Sequence, residues 1–280
     1  MIQKEMRKMP ELPEVETVAC ALAPALTGRT IFKVKLFSPA LRSPLDPLKK
    51  TLPGRKIVNI RRRARYIIAG LDNGNALVIH LGMTGVIRIE KPEIPRRKHE
   101  HIFLYLDDGL VFRFEDVRRF GSLEVHPVCR NGLPEMFGSF GPEPLSAAFT
   151  AEYLFGHSRG VRSAVKSFLM DNAVVAGIGN IYAAETLFAA GIDPRRETET
   201  LTRDQCRKIV KHARRILRAA IRAGGTTVSD FKQVDGSEGK FTVFLQVYGK
   251  KGKPCPVCGF PLELARIGGR SSVFCPKCQK

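Results

Sequence analysis

The sequence lacks any run of about 18 apolar residues that could span a bilayer. No apolar stretch follows the charged N-terminus, Met1 to Lys8, as a secretory leader would require. The chain is therefore expected to be soluble and intracellular, without a membrane partner. Acidic residues are scarce, 27 Asp and Glu against 46 Lys and Arg, for a formal charge of +19 and a pI near 10.0. That excludes an ordinary acidic cytosolic enzyme and makes a polyanion the expected partner. Nucleic acid is favoured over a membrane surface because no basic amphipathic anchor stands apart from the rest of the chain; charge alone would equally suit a ribosomal protein. Cysteine is sparse: Cys20, Cys129 and Cys206 are isolated and the other four of the seven crowd near the C-terminus, a pattern that excludes a secreted disulfide scaffold. Internal repeats and low-complexity tracts are lacking.

What is present is a core. Hydrophobic residues make up 44% of 280, enough for about two domains of ~150 residues. Val15, Val18, Leu22 and Leu26 recur at helical spacing between Pro10 and Thr27, with Gly28 placed as a C-terminal cap. From Thr30 to about Val128 short alternating runs take over: Ile31 to Phe37, Lys56 to Ile60, Arg65 to Ile68, Ala76 to His80, Val86 to Ile89, Ile102 to Leu106, Leu110 to Phe114 and Ser122 to Val125. Turn signals such as Asp72-Asn73-Gly74 and Asp107-Asp108-Gly109 separate them, so an antiparallel sandwich or barrel is expected. Gly141-Pro142-Glu143-Pro144 reads as a linker. Helical periodicity follows over Ala151 to His157, Ala164 to Asp171, Ile181 to Ala190 and Arg203 to Ala223. On the last helix Arg207, Lys211, Arg214, Arg218 and Arg222 share one stripe, opposite Ile209, Ala213, Ile216 and Ala220. That stripe is either a solvated face or a row of cations for a polyanion. Strand-like runs are expected to resume at Phe241 and to end in a cysteine-rich hairpin.

Cys255-Pro256-Val257-Cys258 and Cys275-Pro276-Lys277-Cys278 have the spacing of a four-cysteine zinc ribbon, with each pair supplying two sulfurs at ~2.3 Å from one ion. Redox and iron–sulfur readings of the same cysteines are weaker, because two knuckles around a short hairpin leave little room for a cluster. All four positions are protein ligands, so one structural Zn2+ is expected and no site is left for water activation. Lys250, Lys251, Lys253, Arg266, Arg270, Lys277 and Lys280 surround the thiolates and reverse their charge, which suits phosphate contact.

Met9-Pro10-Glu11-Leu12-Pro13-Glu14-Val15-Glu16-Thr17 resembles the opening of the formamidopyrimidine-DNA glycosylases, bacterial base-excision enzymes for oxidised purines. The resemblance runs from Met9 to Lys280 through His80-Leu81-Gly82-Met83-Thr84-Gly85, Lys98-His99-Glu100-His101, Asp116-Val117-Arg118-Arg119-Phe120-Gly121, Gly141-Pro142-Glu143-Pro144-Leu145, Leu169-Met170-Asp171-Asn172, Gly177-Ile178-Gly179-Asn180-Ile181-Tyr182, Gln246-Val247-Tyr248-Gly249 and Gly269-Arg270. Leu12 within Pro-Glu-Leu-Pro-Glu points to the purine-lesion branch over the sister endonuclease VIII branch. The implied fold is α+β: an N-terminal antiparallel β-sandwich with flanking helices, over residues 9–140, and a C-terminal helix–two-turn–helix domain with a four-cysteine zinc ribbon. After a linker at 141–150, the DNA-binding element and a lid loop would fill 151–240, and the zinc-ribbon hairpin 241–280.

The chemistry suits these residue types. A terminal proline is a secondary amine, and at an α-amino pKa of ~7.7–8.0 roughly a tenth to a sixth of it is neutral at pH 7, whereas a lysine at ~10.4 would be almost wholly protonated. The neutral amine can attack C1′, displace the base and leave an imine that acts as an electron sink for β,δ-elimination. The resemblance assigns this attack to Pro10, protonation of the sugar ring oxygen to Glu11, the base pocket to Glu14, and a part in the second elimination to Arg270. Without it, Pro-Glu-Leu-Pro-Glu reads as a helix start with acids near the positive dipole end.

A base inside a duplex must be flipped out before C1′ can be reached, and the vacancy filled. Met83, Arg118 and Phe120 resemble the family's wedge; as isolated residues Met83 and Phe120 would read as core. His99, Arg162, Lys166, Asn180 and Arg270 resemble its phosphate-contacting positions, with Tyr182 and Glu185 architectural. Gly177-Ile178-Gly179-Asn180 lacks the strand–turn–helix context of a dinucleotide loop. Gly224-Gly225-Thr226-Thr227 to Phe241 resembles a lid over the flipped base.

Two departures stand out. Residues 1 to 8 precede Met9, and while they are attached Pro10 is a tertiary amide without a nucleophilic lone pair; a start or processing at Met9 is expected. Arg65, in Arg62-Arg63-Ala64-Arg65-Tyr66, stands where the family carries lysine. The expected protein is a monomeric glycosylase and abasic-site lyase of the bacterial cytosol and nucleoid, acting on duplex DNA held between its domains. A non-catalytic zinc-dependent binder of damaged DNA is the alternative if the extension stays.

Overall fold

The computed structural model describes residues 9–226 and 241–280. The N-terminal extension and most of the expected lid lie outside these. The described residues form two compact units, the first of residues 9–138 with Gly224, Gly225 and Thr226, the second of Ser139–Ala223 with Phe241–Lys280.

In the first unit, α1 (Leu12–Leu26) buries Leu12, Val15, Val18, Ala19, Leu22 and Leu26, one stripe at three- and four-residue spacing. Past its C-cap, Gly28 takes φ +86°, the left-handed turn only glycine enters freely, and its amide donates to Ile57 O at 2.7 Å. Next come β1 (Thr30–Leu36), α2 (Asp46–Thr51), β2 (Arg55–Arg63), β3 (Tyr66–Leu71), β4 (Asn75–His80), β5 (Gly85–Glu90), β6 (Glu100–Leu106), β7 (Val111–Asp116) and β8 (Ser122–Pro127). They pair antiparallel in the order β5-β7-β6-β1-β2-β3-β4-β8.

The joint between β1 and β2 is short, Thr30 opposite Lys56 and Ile31 opposite Arg55, so the sheet is two four-stranded halves meeting at a corner. One core takes Ile31, Ile102, Leu104, Phe112 and Phe114 from one half, Ile57, Ile67, Leu77, Ile79 and Leu123 from the other, and the inward faces of α1 and α2. This is the expected β-sandwich with flanking helices. Leu22, with no exposed surface, is a position where truncation to alanine costs about 2–5 kcal/mol. The short helix α2, opened by Asp46-Pro47, is one that apolar periodicity does not show.

In the second unit, α3 (Ala151–Ser158), α4 (Val165–Leu169), α5 (Asn180–Ala190) and α6 (Arg203–Arg222) form the helical part. The turns between α4 and α5 make the helix–two-turn–helix. Asn172 pins them: its Oδ1 accepts from Gly177 N at 3.0 Å and its carbonyl from Gly141 N at 2.8 Å. Residues 141–150, which read as a linker, are thereby fastened to the helices, and α6 adds a second clamp through Arg214, which donates to Ser146 O at 2.7 Å and Phe149 O at 2.9 Å. Strands do not resume at Phe241. That stretch is a 3-10 turn, Phe241–Phe244, and among the described residues of this unit only β9 (Glu263–Ile267) and β10 (Arg270–Phe274) pair as strands. The reason lies in Glu185 of α5, whose buried carboxylate accepts from the amides of Gln246, Val247 and Tyr248 at 2.9–3.0 Å. Amides turned onto a carboxylate cannot feed a strand ladder.

Candidate active site and nucleic-acid interface

Pro10 and Glu11 are buried at the start of α1, Glu11 only 3% exposed. Glu14 sits one turn on, and its two oxygens serve different neighbours. Oε2 accepts from Glu11 N at 3.0 Å, which satisfies one of the amides a helix start leaves open. Oε1 accepts from both the amide and the hydroxyl of Thr226 at 2.8 Å. Gly225, at φ +81°, passes so near that a Cβ there would lie 3.0 Å from the Glu14 carboxyl group.

Arg65 joins this cluster from the β2–β3 turn. The turn is held at Ala64 (φ +53°) by Arg62, which donates to Ala64 O at 3.0 Å and pairs with Glu16 of α1. Arg65 Nη1 consequently lies 3.8 Å from Sδ of Met9, the residue before Pro10. His80, at the end of β4, is buried against Tyr66, with ring centroids 4.7 Å apart. Burial, reinforced by the charges of Arg42 and Arg65, pushes its pKa down to about 4. The neutral ring accepts from Gly82 N at Nδ1, 3.1 Å away, and so fixes the approach to Met83.

The loops that carry Met83, Arg118 and Phe120 come together on one carboxylate. Asp116, with no exposed surface, accepts from the Thr84 hydroxyl, from Arg118 N at 3.2 Å and from Gly121 N at 2.7 Å. The loop bearing Met83 is thus tied to the loop bearing Arg118 and Phe120. Phe120 is 48% exposed, and the Arg118 guanidinium stacks 4.7 Å over its ring. An exposed ring under a cation is not ordinary core. The Asp116 amide in turn donates to His99 O at 2.9 Å, which places His99 on the same loop cluster.

In the second unit Asn180 opens α5; its Nδ2 donates to the Tyr248 hydroxyl at 3.4 Å, while the buried Oδ1 meets no partner among the described residues. Arg162 is 88% exposed and loosely paired with Glu199 at 4.0 Å. Lys166 is placed differently from a surface phosphate ligand. It is buried, and Nζ donates to Ser272 Oγ at 2.6 Å and Ser271 O at 3.1 Å. It therefore carries the strand that begins with the exposed Arg270. The Gly268-Gly269 turn before Arg270 has both residues at positive φ, +53° and +74°, as a tight hairpin of this kind requires. A Cβ at Gly268 would come 3.0 Å from Ser167 Oγ, so α4 supports both sides of the tip.

The sulfurs of Cys255, Cys258, Cys275 and Cys278 all lie within 4.8 Å of one another. The separations of 3.9 Å (Cys255 to Cys278) and 3.5 Å (Cys258 to Cys275) match the edge of about 3.8 Å that four bonds of ~2.3 Å give a tetrahedron. These four thiolates hold a structural zinc ion. Backbone amides face the sulfurs, Val257 N toward Cys255 at 3.5 Å and Cys278 N toward Cys275 at 3.4 Å. Gln279 anchors the ribbon, accepting from Cys275 N at 2.9 Å and donating to Ile192 O, just beyond α5, at 2.7 Å.

Asp116, Thr84, His80 and Arg62 are participants that residue type alone does not reveal. His80, Thr84 and Asp116 lie within the segments that carry the family resemblance, and nothing in those segments assigns them these partners.

A β-rich unit whose first helix opens on Pro-Glu, with a helix–two-turn–helix unit and a closed four-thiolate ribbon, defines a zinc-containing DNA-repair enzyme of the helix–two-turn–helix class. Family models match in the same order: formamidopyrimidine-DNA glycosylase N-terminal domain over residues 9–123, its H2TH domain over 140–232, and the zinc finger found in FPG and IleRS over 252–280. The chain belongs to the formamidopyrimidine-DNA glycosylase family. It is 47% identical over 273 residues to the formamidopyrimidine-DNA glycosylase of Xanthomonas campestris pv. campestris, and 48% over 279 to that of Stenotrophomonas maltophilia, covering 97% of this chain and 100% of each relative. Among solved structures, MutM (FPG) of Thermus thermophilus aligns with TM-score 0.84 at 36% identity, over 96% of this chain and 98% of that one. Lactococcus lactis Fpg in complex with abasic-site DNA aligns with TM-score 0.85 at 32% identity, over 97% and 100%. The chain is accordingly a base-excision-repair enzyme, a DNA glycosylase that is also an abasic-site lyase.

Proposed function

We propose that this chain removes formamidopyrimidines and 8-oxoguanine from duplex DNA as a monomer, with Pro10 as the nucleophile once its nitrogen is a free secondary amine. The Pro10 nitrogen bonds to C1′, the glycosidic bond breaks, and the base leaves with a proton. Glu11 protonates the ring oxygen as the sugar opens, and the resulting iminium takes up the electron pair released when a proton leaves C2′ and the 3′ phosphate departs. Loss of the 5′ phosphate follows, a step in which Arg270 takes part. Met83, Arg118 and Phe120 fill the vacated stack, while His99, Arg162 and Asn180 face phosphates. Lys166 acts by holding the Arg270 strand.

The observation that carries this reading is the N-terminal cluster: Pro10 and Glu11 buried together, Glu14 bonded to the Glu11 amide, and Arg65 packed against the residue before Pro10. Borohydride added during reaction with lesion-bearing duplex tests it. A chain beginning at Pro10 should be trapped as a covalent adduct, Pro10→Gly should trap weakly, and the 280-residue chain should give none. Trapping of the extended chain at an internal lysine would overturn the assignment of Pro10. DNA binding by a chain whose terminus stays blocked would instead favour the non-catalytic binder.

A further inference from the structure

The outward face of α6 is not used by the chemistry above. Lys208, Lys211, Arg214, Arg215, Arg218 and Arg222 follow one another without an acidic residue between them. Asp204, the acidic residue in the first turn of the helix, is engaged by Arg207 and Lys208 at 3.0 and 3.2 Å. Arg214 is turned inward onto the carbonyls of Ser146 and Phe149. Lys211, Arg215, Arg218 and Arg222 are exposed and have no acidic partner among the described residues.

With Ala147, Thr150 and Ala151 at the start of α3, they line an open groove of about 760 Å³. At 1.5 Å per residue the cations from Arg207 to Arg222 span about 22 Å, the length of about six nucleotides of a strand at 3.4 Å each. Like charges one helical turn apart destabilise a helix by a few tenths of a kcal/mol per pair, so this face is costly to keep bare. His212, between the cations, has its pKa lowered by burial and by Arg215, Lys211 and Lys208. None of Arg162, Lys166, Asn180 or Arg270 lines the groove.

We propose that the exposed face of α6 is a second DNA-backbone surface, engaging duplex phosphates outside the lesion contact. Charge complementarity and length fit a continuous row of phosphates, and contacts to phosphates carry no sequence information. It would hold the enzyme on undamaged DNA between lesions. This inference does not depend on Pro10 being the nucleophile, because undamaged duplex requires no chemistry.

The test replaces Lys211, Arg215 and Arg218 together by Gln, a helix former that keeps the stems, and leaves Arg214 in place. On an undamaged duplex of about 40 base pairs, binding at 0.1 M salt should weaken about tenfold, and the slope of log affinity against log salt should fall by 2 to 3, about 0.9 per lost phosphate contact. Single-turnover cleavage of an abasic duplex of about 13 base pairs should stay unchanged. Restoring charge with Arg215→Lys and Arg218→Lys should recover most of the slope, and single Gln variants should each lose about one contact's worth. An unchanged slope on the long duplex would overturn the proposal. An equal loss on the short lesion duplex would also overturn it, by making α6 part of the lesion grip.

Discussion

The Thr84 hydroxyl donates to the buried Asp116 carboxylate, and this bond joins the two loops that carry Met83 on one side and Arg118 and Phe120 on the other. The wedge proposed for these residues is built on separate loops, and one carboxylate with three donors sets the spacing between them.

Asp116→Ala should therefore act on base extrusion. Each donor left unpaired costs about 1–3 kcal/mol of stability, and Arg118 N keeps the Thr84 hydroxyl as an acceptor at 3.0 Å. Excision of 8-oxoguanine should fall by tenfold or more, while cleavage of a preformed abasic site, which has no base to unstack, falls much less. Parallel single-turnover assays on the two substrates check the ratio.

His80 gives the fold an acid-sensitive joint. Its pKa lies near 4 in the folded chain, below the ordinary histidine value of 6.5, so between those limits the unfolded chain binds a proton that the folded one does not. Stability should fall as pH drops through that window, by up to about 3 kcal/mol, and stay flat in this respect above pH 7. His80→Gln should lessen the difference between denaturation midpoints measured at pH 7 and pH 4.5.

Stripping zinc, or Cys275→Ser, should abolish DNA binding. Ion binding in such ribbons supplies about 10–16 kcal/mol, and the hairpin that presents Arg270 has no other core of comparable strength. The β-rich unit should keep its structure, so circular dichroism of the stripped protein should retain its strand signal. Full activity without metal would contradict the structural role.

Arg65→Lys should raise 8-oxoguanine excision severalfold with little change in abasic-site cleavage or affinity. Arginine keeps its charge and can clamp a phosphate by its fork, whereas a desolvated lysine can also exchange a proton. The Arg65 guanidinium lies against the side chain of Met9, the residue before Pro10. An unchanged ratio of the two activities would reduce Arg65 to a phosphate clamp.

The strands were legible because turn chemistry marks them: Gly74 and Gly109 take φ +77° and +82° where Asn73-Gly74 and Asp108-Gly109 announced hairpins. The zinc ligands were legible because their spacing is local. Lys166 and Arg214 were not, since a helical wheel shows which face a cation lies on and nothing of what approaches that face. Lys166 meets a hairpin more than a hundred residues further along the chain, and Arg214 meets carbonyls of a segment whose composition reads as loop. The stretch from Phe241 to Tyr248 was misread as strand because its apolar pattern suits either form, and the group that takes up the amides of Gln246, Val247 and Tyr248, the Glu185 carboxylate, comes from α5.

The fit of Gly225 against Glu14 couples the histories of two positions far apart in sequence. A side chain at 225 would have to displace the carboxyl group that receives Thr226 and the Glu11 amide, and it would also strain the backbone at φ +81°. Descendants of this gene can lengthen residue 225 only after residue 14 has shortened or turned away. Inheritance at the two sites should run in step, and an intermediate with only one change would be the one that selection removes.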